Sequence, residues 1–121
     1  MLLRTGVDLI EISRIDEAIA RHGQRYLERV YTSAELEQSH RHTGSLAGRF
    51  AAKEAVAKAL GTGIGDIGWK DIEILGDEQN APTVQLSGAA ERRARDLGLA
   101  TWSISISHSM SHAVAFVVAS S

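Results

Sequence analysis

Trp102, Ile104 and Ile106 alternate with Ser103, Ser105 and Ser107, the period-two pattern of a half-buried strand. After the polar turn His108-Ser109-Met110-Ser111, the segment His112 to Ala119 is strongly apolar and predicts a second strand against the first. At the other end of the chain, Gly6-Val7-Asp8-Leu9-Ile10 is a short apolar run, consistent with a mostly buried strand over residues 2 to 10. Trp69 to Leu75 alternates as well, with Ile72 and Ile74 separated by Glu73. Pro82 to Leu86 reads as a strand with its proline at the start, where proline is tolerated. The polar residues Gly76 to Ala81 between them predict a hairpin.

The helical pattern is plainest in Arg49-Phe50-Ala51-Ala52-Lys53-Glu54-Ala55-Val56-Ala57-Lys58-Ala59-Leu60. These are strong helix formers, and Phe50, Val56, Ala57 and Leu60 fall within one stripe. Gly61 follows the last apolar residue, where a left-handed C-cap is common. The predicted central helix covers about Ser45 to Leu60. Ser13 is the expected N-cap of an earlier helix, with Asp16 and Glu17 in its first turn and Gly23 at its end. Arg14, Arg21, Arg25 and Arg29 recur at spacings of seven, four and four. They form a basic ridge if the helical path continues past Gly23. Thr32-Ser33-Ala34-Glu35 has capping-box form and predicts a short helix to about Ser39. Ser87 is the expected cap of a last helix through Leu97, stopped by Gly98.

The order strand, helices, long helix, two strands, helix, two strands gives an α+β fold. A mostly antiparallel sheet is expected to pack against the central helix, in a single domain spanning residues 1–121. Composition narrows the function. The chain has 13 basic and 15 acidic residues, a formal net charge of -2, whereas general nucleic-acid binders are usually far more basic. It has no cysteine, which removes disulfides and thiolate sites. No basic segment leads into a long apolar stretch, and no run approaches membrane-spanning length. The expectation is a cytoplasmic protein without a membrane or nucleic-acid partner.

Two carboxylates interrupt otherwise apolar elements. A lone buried carboxylate is costly, so Asp8 is expected to be paired, metal-bound or at an exposed strand end. Glu54 and Lys58 stand one turn apart on the same side of the central helix. Two carboxylates without cysteine suit a hard cation such as Mg²⁺, which takes few protein oxygens and completes its shell with water and phosphates. Lys58, with Arg49, Lys53 and His108, would supply counter-charge for those phosphates. The glycines of Gly61-Thr62-Gly63 follow the helix, so this is not a P-loop, but its amides can approach a phosphate or ribose closely. His40 and His42 lie in a polar connection with too few further ligands to define a metal site. From the residues alone, the reading stops at Mg²⁺-assisted chemistry on a phosphate-rich ligand, or binding of one.

Three segments in order carry a resemblance: Gly6-Val7-Asp8-Leu9-Ile10-Glu11-Ile12; Arg49-Phe50-Ala51-Ala52-Lys53-Glu54-Ala55 with Lys58 and Gly61-Thr62-Gly63; and Ser105-Ile106-Ser107-His108-Ser109. Together they resemble the bacterial holo-acyl-carrier-protein synthases, the small 4′-phosphopantetheinyl transferases. The match in order, spacing and length covers nearly the whole chain. The resemblance implies transfer of 4′-phosphopantetheine from coenzyme A to a serine of apo acyl carrier protein, releasing adenosine 3′,5′-bisphosphate. It implies Asp8 and Glu54 as Mg²⁺ ligands and Lys58 as the catalytic lysine at the pyrophosphate. Arg49, Gly61, Thr62, Gly63 and His108, with Lys58, fall where the family contacts coenzyme A. Arg14, Arg21 and Arg25 fall on the helix that docks the acidic carrier. The small members form homotrimers with sites between subunits. Where the family often has a lysine and then a tyrosine after Ser-His-Ser, this chain has Met110 and His112.

Overall fold

The computed structural model describes residues 1–121. The chain opens with β1 (Leu3–Glu11), α1 (Ile12–His22), α2 (Gln24–Val30), α3 (Ser33–Ser39) and the long α4 (Thr43–Ala59). A single 3₁₀ turn, Trp69–Asp71, leads into the hairpin β2 (Ile72–Gly76) and β3 (Pro82–Leu86). The chain ends with α5 (Gly88–Leu97), β4 (Thr101–His108) and β5 (His112–Ser120). This is the expected α+β class. The strands divide into two antiparallel sheets, one of order β1-β5-β4 and the other β2-β3.

The alanine content of α4 has a geometric reason. Its buried face presents Ala51, Ala52, Ala55 and Ala59, and β5 answers with Ala113, Ala115, Val117 and Ala119. Small side chains on both faces let the helix lie close to β1 and β5. The approach is closest at Gly6, where a Cβ would run into the carbonyl oxygen of Ala55. It is also tight at Gly48, where a Cβ would sit 2.9 Å from Cγ2 of Ile106. Any larger residue at Gly6 would push the strand away from the helix.

Several local expectations hold. Thr32 and Glu35 form the reciprocal capping box of α3. Gly61 turns the chain out of α4 at φ +74°, and Gly98 ends α5 at φ +75°. Others shift. α1 starts at Ile12, before Ser13, because β1 runs straight into it and the Ile12 amide donates to the Ser111 carbonyl across the sheet. The helical path does not continue through Gly23, whose φ of 55° and ψ of -131° break it before α2 restarts. Arg25 and Arg29 therefore lie on a separate short helix from Arg14 and Arg21. α4 begins earlier than expected, at Thr43.

The outer face of the three-stranded sheet is apolar and uncovered by the rest of the chain. Leu3, Val7, Leu9 and Phe116 are exposed there, with Val7 directly opposite Phe116 and Leu9 opposite Val114.

Candidate active site

The close contact at Gly6 also sets the acidic pair. Side chains two apart on a strand share a face, so Asp8 points to the same side as Gly6, towards α4. Glu54 precedes Ala55, the residue whose carbonyl Gly6 abuts. The two carboxylates line one cavity of about 410 Å³. Arg14 of α1 also lines it, and Ile10, Ile15, Phe50 and Tyr26 make much of the rest of the wall. Lys58 places Nζ 3.2 Å from Oδ1 of Asp8 and donates to the Val7 carbonyl at 2.8 Å. It is thereby fixed across the edge of β1 with about half of its side chain still exposed.

Burial and, second, the neighbouring Asp8 carboxylate raise the pKa of Glu54 above the ordinary glutamate value; Lys58 opposes the shift. The two acids share a partly desolvated hollow, and of the pair only Asp8 has an ion-pair partner, Lys58, while Glu54 has none. No third carboxylate or imidazole joins them. That donor set suits a hard cation that needs few protein oxygens and keeps room for water and phosphate.

Lys53 does not join this group. It is completely buried, ion-paired to Glu35 at 2.8 Å, and donates to the carbonyls of Trp69 at 3.0 Å and Ile72 at 2.5 Å. Its expected part in phosphate counter-charge is corrected accordingly: it faces inward because α4 turns that side to the β2 strand. Burial lowers its pKa, and the Glu35 carboxylate acts in the opposite direction.

Arg49 and His108 line a second cavity, of about 210 Å³, between the first turns of α4, the β2–β3 hairpin and β4. Three of the five N–H groups of the Arg49 guanidinium donate within the chain. They donate to the Ile74 carbonyl at 3.1 Å, to the Ser45 hydroxyl, and to Oε1 of Gln38 at 2.9 Å. Gly61 lies at the end of α4, flanked by the guanidinium groups of Arg4 and Arg93. Arg93 caps the helix through a 3.0 Å bond to the Leu60 carbonyl. Thr62 and Gly63 follow in the same exit loop, and the Thr62 hydroxyl oxygen is buried there without a partner. Arg21 lies in the last turn of α1, and Arg25 joins Arg29, His22 and Tyr26 around a further hollow.

Chain comparison decides what this arrangement belongs to. Residues 4–117 match the family model described as the 4′-phosphopantetheinyl transferase superfamily. The chain belongs to this superfamily. Among its members, a holo-[acyl-carrier-protein] synthase of Herpetosiphon aurantiacus is 51% identical, over 97% of this chain and 98% of that one. One from Moorella thermoacetica is 46% identical, over 99% and 95%. A crystal structure of the Helicobacter pylori holo-[acyl-carrier-protein] synthase in complex with coenzyme A superposes with a TM-score of 0.88 at 36% identity, covering 96% of this chain and 99% of that one. The chain is thus a 4′-phosphopantetheinyl transferase by family, with the family's α+β fold. No helix is long and apolar enough to cross a membrane.

Sequence reasoning missed two participants. Tyr26 enters the carboxylate cavity wall from α2, its hydroxyl 2.9 Å from that of Tyr31, which in turn donates to the Leu46 carbonyl at 3.0 Å. Glu35 was legible as a capping residue, but its second role towards Lys53 depends on how α3 meets α4.

Proposed function

We propose that the chain is a holo-acyl-carrier-protein synthase. It transfers 4′-phosphopantetheine from coenzyme A to a serine of apo acyl carrier protein and releases adenosine 3′,5′-bisphosphate. The observation that carries this reading is the shared cavity of Asp8 and Glu54 beside Lys58, in a chain of this superfamily. The curated relatives with that name, and the coenzyme A complex of the Helicobacter pylori enzyme, support it.

In this reading Asp8 and Glu54 hold Mg²⁺, which when bound stabilises charge on the diphosphate and its leaving phosphate. The serine oxygen of the carrier forms a bond to the β-phosphorus and loses its proton. The bond from that phosphorus to the bridging oxygen breaks, and adenosine 3′,5′-bisphosphate departs with the electron pair. Lys58 adds a fixed positive charge beside the reacting diphosphate, held in place by its bonds to Asp8 and Val7. The exit loop Gly61-Thr62-Gly63 and the cavity of Arg49 and His108 take the rest of coenzyme A, with Arg49 shaping the wall through its internal bonds. Arg14, Arg21 and Arg25 attract the acidic carrier, an attraction that salt weakens.

The two cavities are separate within one subunit. A homotrimer with sites between subunits would bring one cavity of each copy to the other cavity of its neighbour. The exposed apolar face at Leu3, Val7, Leu9 and Phe116 supports such an assembly. The enzyme is expected to work in the cytoplasm.

Mass spectrometry of an apo carrier incubated with the protein, coenzyme A and Mg²⁺ tests the reading. The expected result is a mass gain of one phosphopantetheine. Asp8→Ala and Glu54→Ala should each lower the rate by roughly 10²–10³ while leaving the fold intact. No mass gain from the folded wild type, or full activity in either variant, would count against it.

A further inference from the structure

The end of α4 gathers two positive charges that the proposed reaction leaves without a task. Nη2 of Arg4 lies 2.7 Å, and Nη2 of Arg93 3.5 Å, from the one point that a Gly61 Cβ would take. Gly61 turns there with φ +74°, a conformation open to glycine, and it puts no side chain between the two guanidinium groups. Arg4 comes from β1, on the face that it shares with Gly6 and Asp8, and Arg93 comes from α5. Neither lines the cavity of the two acids or that of Arg49 and His108.

A helix C-terminus attracts cations, and that accounts for Arg93, whose Nε donates to the Leu60 carbonyl at 3.0 Å. It does not account for Arg4. The carbonyls of Ala57 and Lys58 in the last turn already accept from the amides of Thr62 and Gly61. Arg4 is partly buried, yet it donates no hydrogen bond within the chain and has no carboxylate partner. Arg93 has no carboxylate partner either, and its Nη groups donate to nothing in the chain. Two like charges this close repel, and no acid of the protein offsets them. The Gly63 amide is a further unused donor in the same loop, with open space where a side chain would stand. Paired guanidinium forks suit a tetrahedral oxyanion, whose oxygens accept several charge-assisted hydrogen bonds at once.

We infer that Arg4 and Arg93 form a binding site for a phosphate group at the exit of α4. The site stands apart from the transferase reading, because its ligand is defined by charge and shape and it lies outside both cavities used there. Free inorganic phosphate and a phosphate carried by a nucleotide share this chemistry.

Heteronuclear NMR on nitrogen-labelled protein tests this. Inorganic phosphate is titrated against chloride at constant ionic strength, and the Arg93 Nε–H signal, held by the Leu60 carbonyl, is followed. The wild type should show a saturable shift. Arg4→Gln removes the charge without breaking a hydrogen bond or ion pair, and should move the midpoint about tenfold to higher phosphate. Arg92 is exposed and adjacent to Arg93 in sequence; Arg92→Gln should leave the midpoint where it was. No saturable shift in the wild type would overturn the site, as would an unchanged midpoint in Arg4→Gln. An Arg92→Gln effect as large as that of Arg4→Gln would reduce the pair to general surface charge and overturn it too. Coenzyme A added to the wild type then names the source. A raised midpoint gives the site to a phosphate of the coenzyme, and an unmoved one gives it to the free ion. None of these readouts needs transfer to occur, so a failed mass-gain assay would sink the transferase reading and leave the site standing.

Discussion

Glu54 behaves as an acid under pressure. Burial and the Asp8 charge raise its proton affinity in the folded chain, so the folded state binds more protons than the unfolded one across the window above the ordinary glutamate value. Stability with respect to this group therefore falls as pH rises through that window. Two consequences are expected in thermal melts of the metal-free protein. Glu54→Gln should raise the melting temperature at neutral pH, and the gain should vanish at acidic pH, where wild-type Glu54 is protonated. Mg²⁺ should raise the wild-type melting temperature at neutral pH and leave that of Asp8→Asn unchanged. A Mg²⁺ shift of equal size in both proteins would contradict the metal assignment. These two acids were legible in the sequence because a carboxylate inside an apolar run demands a partner. Lys53 was not legible: its neighbours in sequence resemble those of Lys58, and only the rotation of α4 turns one inward and leaves the other at the surface.

At the scale of elements, the Lys53–Glu35 pair ties three parts of the chain together. Glu35 accepts from the Thr32 amide at 2.9 Å and from the Ile74 amide at 2.9 Å, while Lys53 and Arg49 hold the carbonyls of Ile72 and Ile74. The cap of α3, the body of α4 and the β2 strand are thus fixed by one polar cluster. Both charges are completely buried. Removing one leaves the other without compensation, so Lys53→Met should cost about 3–5 kcal/mol in chemical denaturation. Pairing it with Glu35→Leu should recover part of that loss. A Lys53→Met variant as stable as wild type would show that the cluster contributes little. The periodicities predicted the elements themselves well, since alternation in β4 and the alanine-rich run in α4 leave little choice. Their junctions were less legible. Whether β1 passes into α1 at Ile12 or Ser13 depends on a hydrogen bond to Ser111, nearly a hundred residues away in sequence.

At the scale of the whole molecule, the exposed row on the three-stranded sheet is the feature a lone subunit does not explain. Leu9 and Leu3 are 65% and 59% exposed in strand positions that alternate with buried ones. Val7→Asp, which places a charge opposite Phe116, should shift the particle in light scattering from the mass of the proposed trimer to that of a single chain. Transfer activity should fall with it. A wild type that is already monomeric would remove the basis for a site shared between copies. The sequence placed these residues on strands, but β1 read as a mostly buried strand. Which face stays open was decided by α4 covering the other.

The contact between Gly6 and Ala55 reaches further than packing. It is main chain against main chain, so the backbones that carry the two acids stand at a fixed separation before either side chain takes a rotamer. The surrounding walls can change to admit another partner without disturbing that separation. A redesign that moves the strand of Asp8 away from the helix of Glu54 would have to begin at residue 6, where there is no side chain at all.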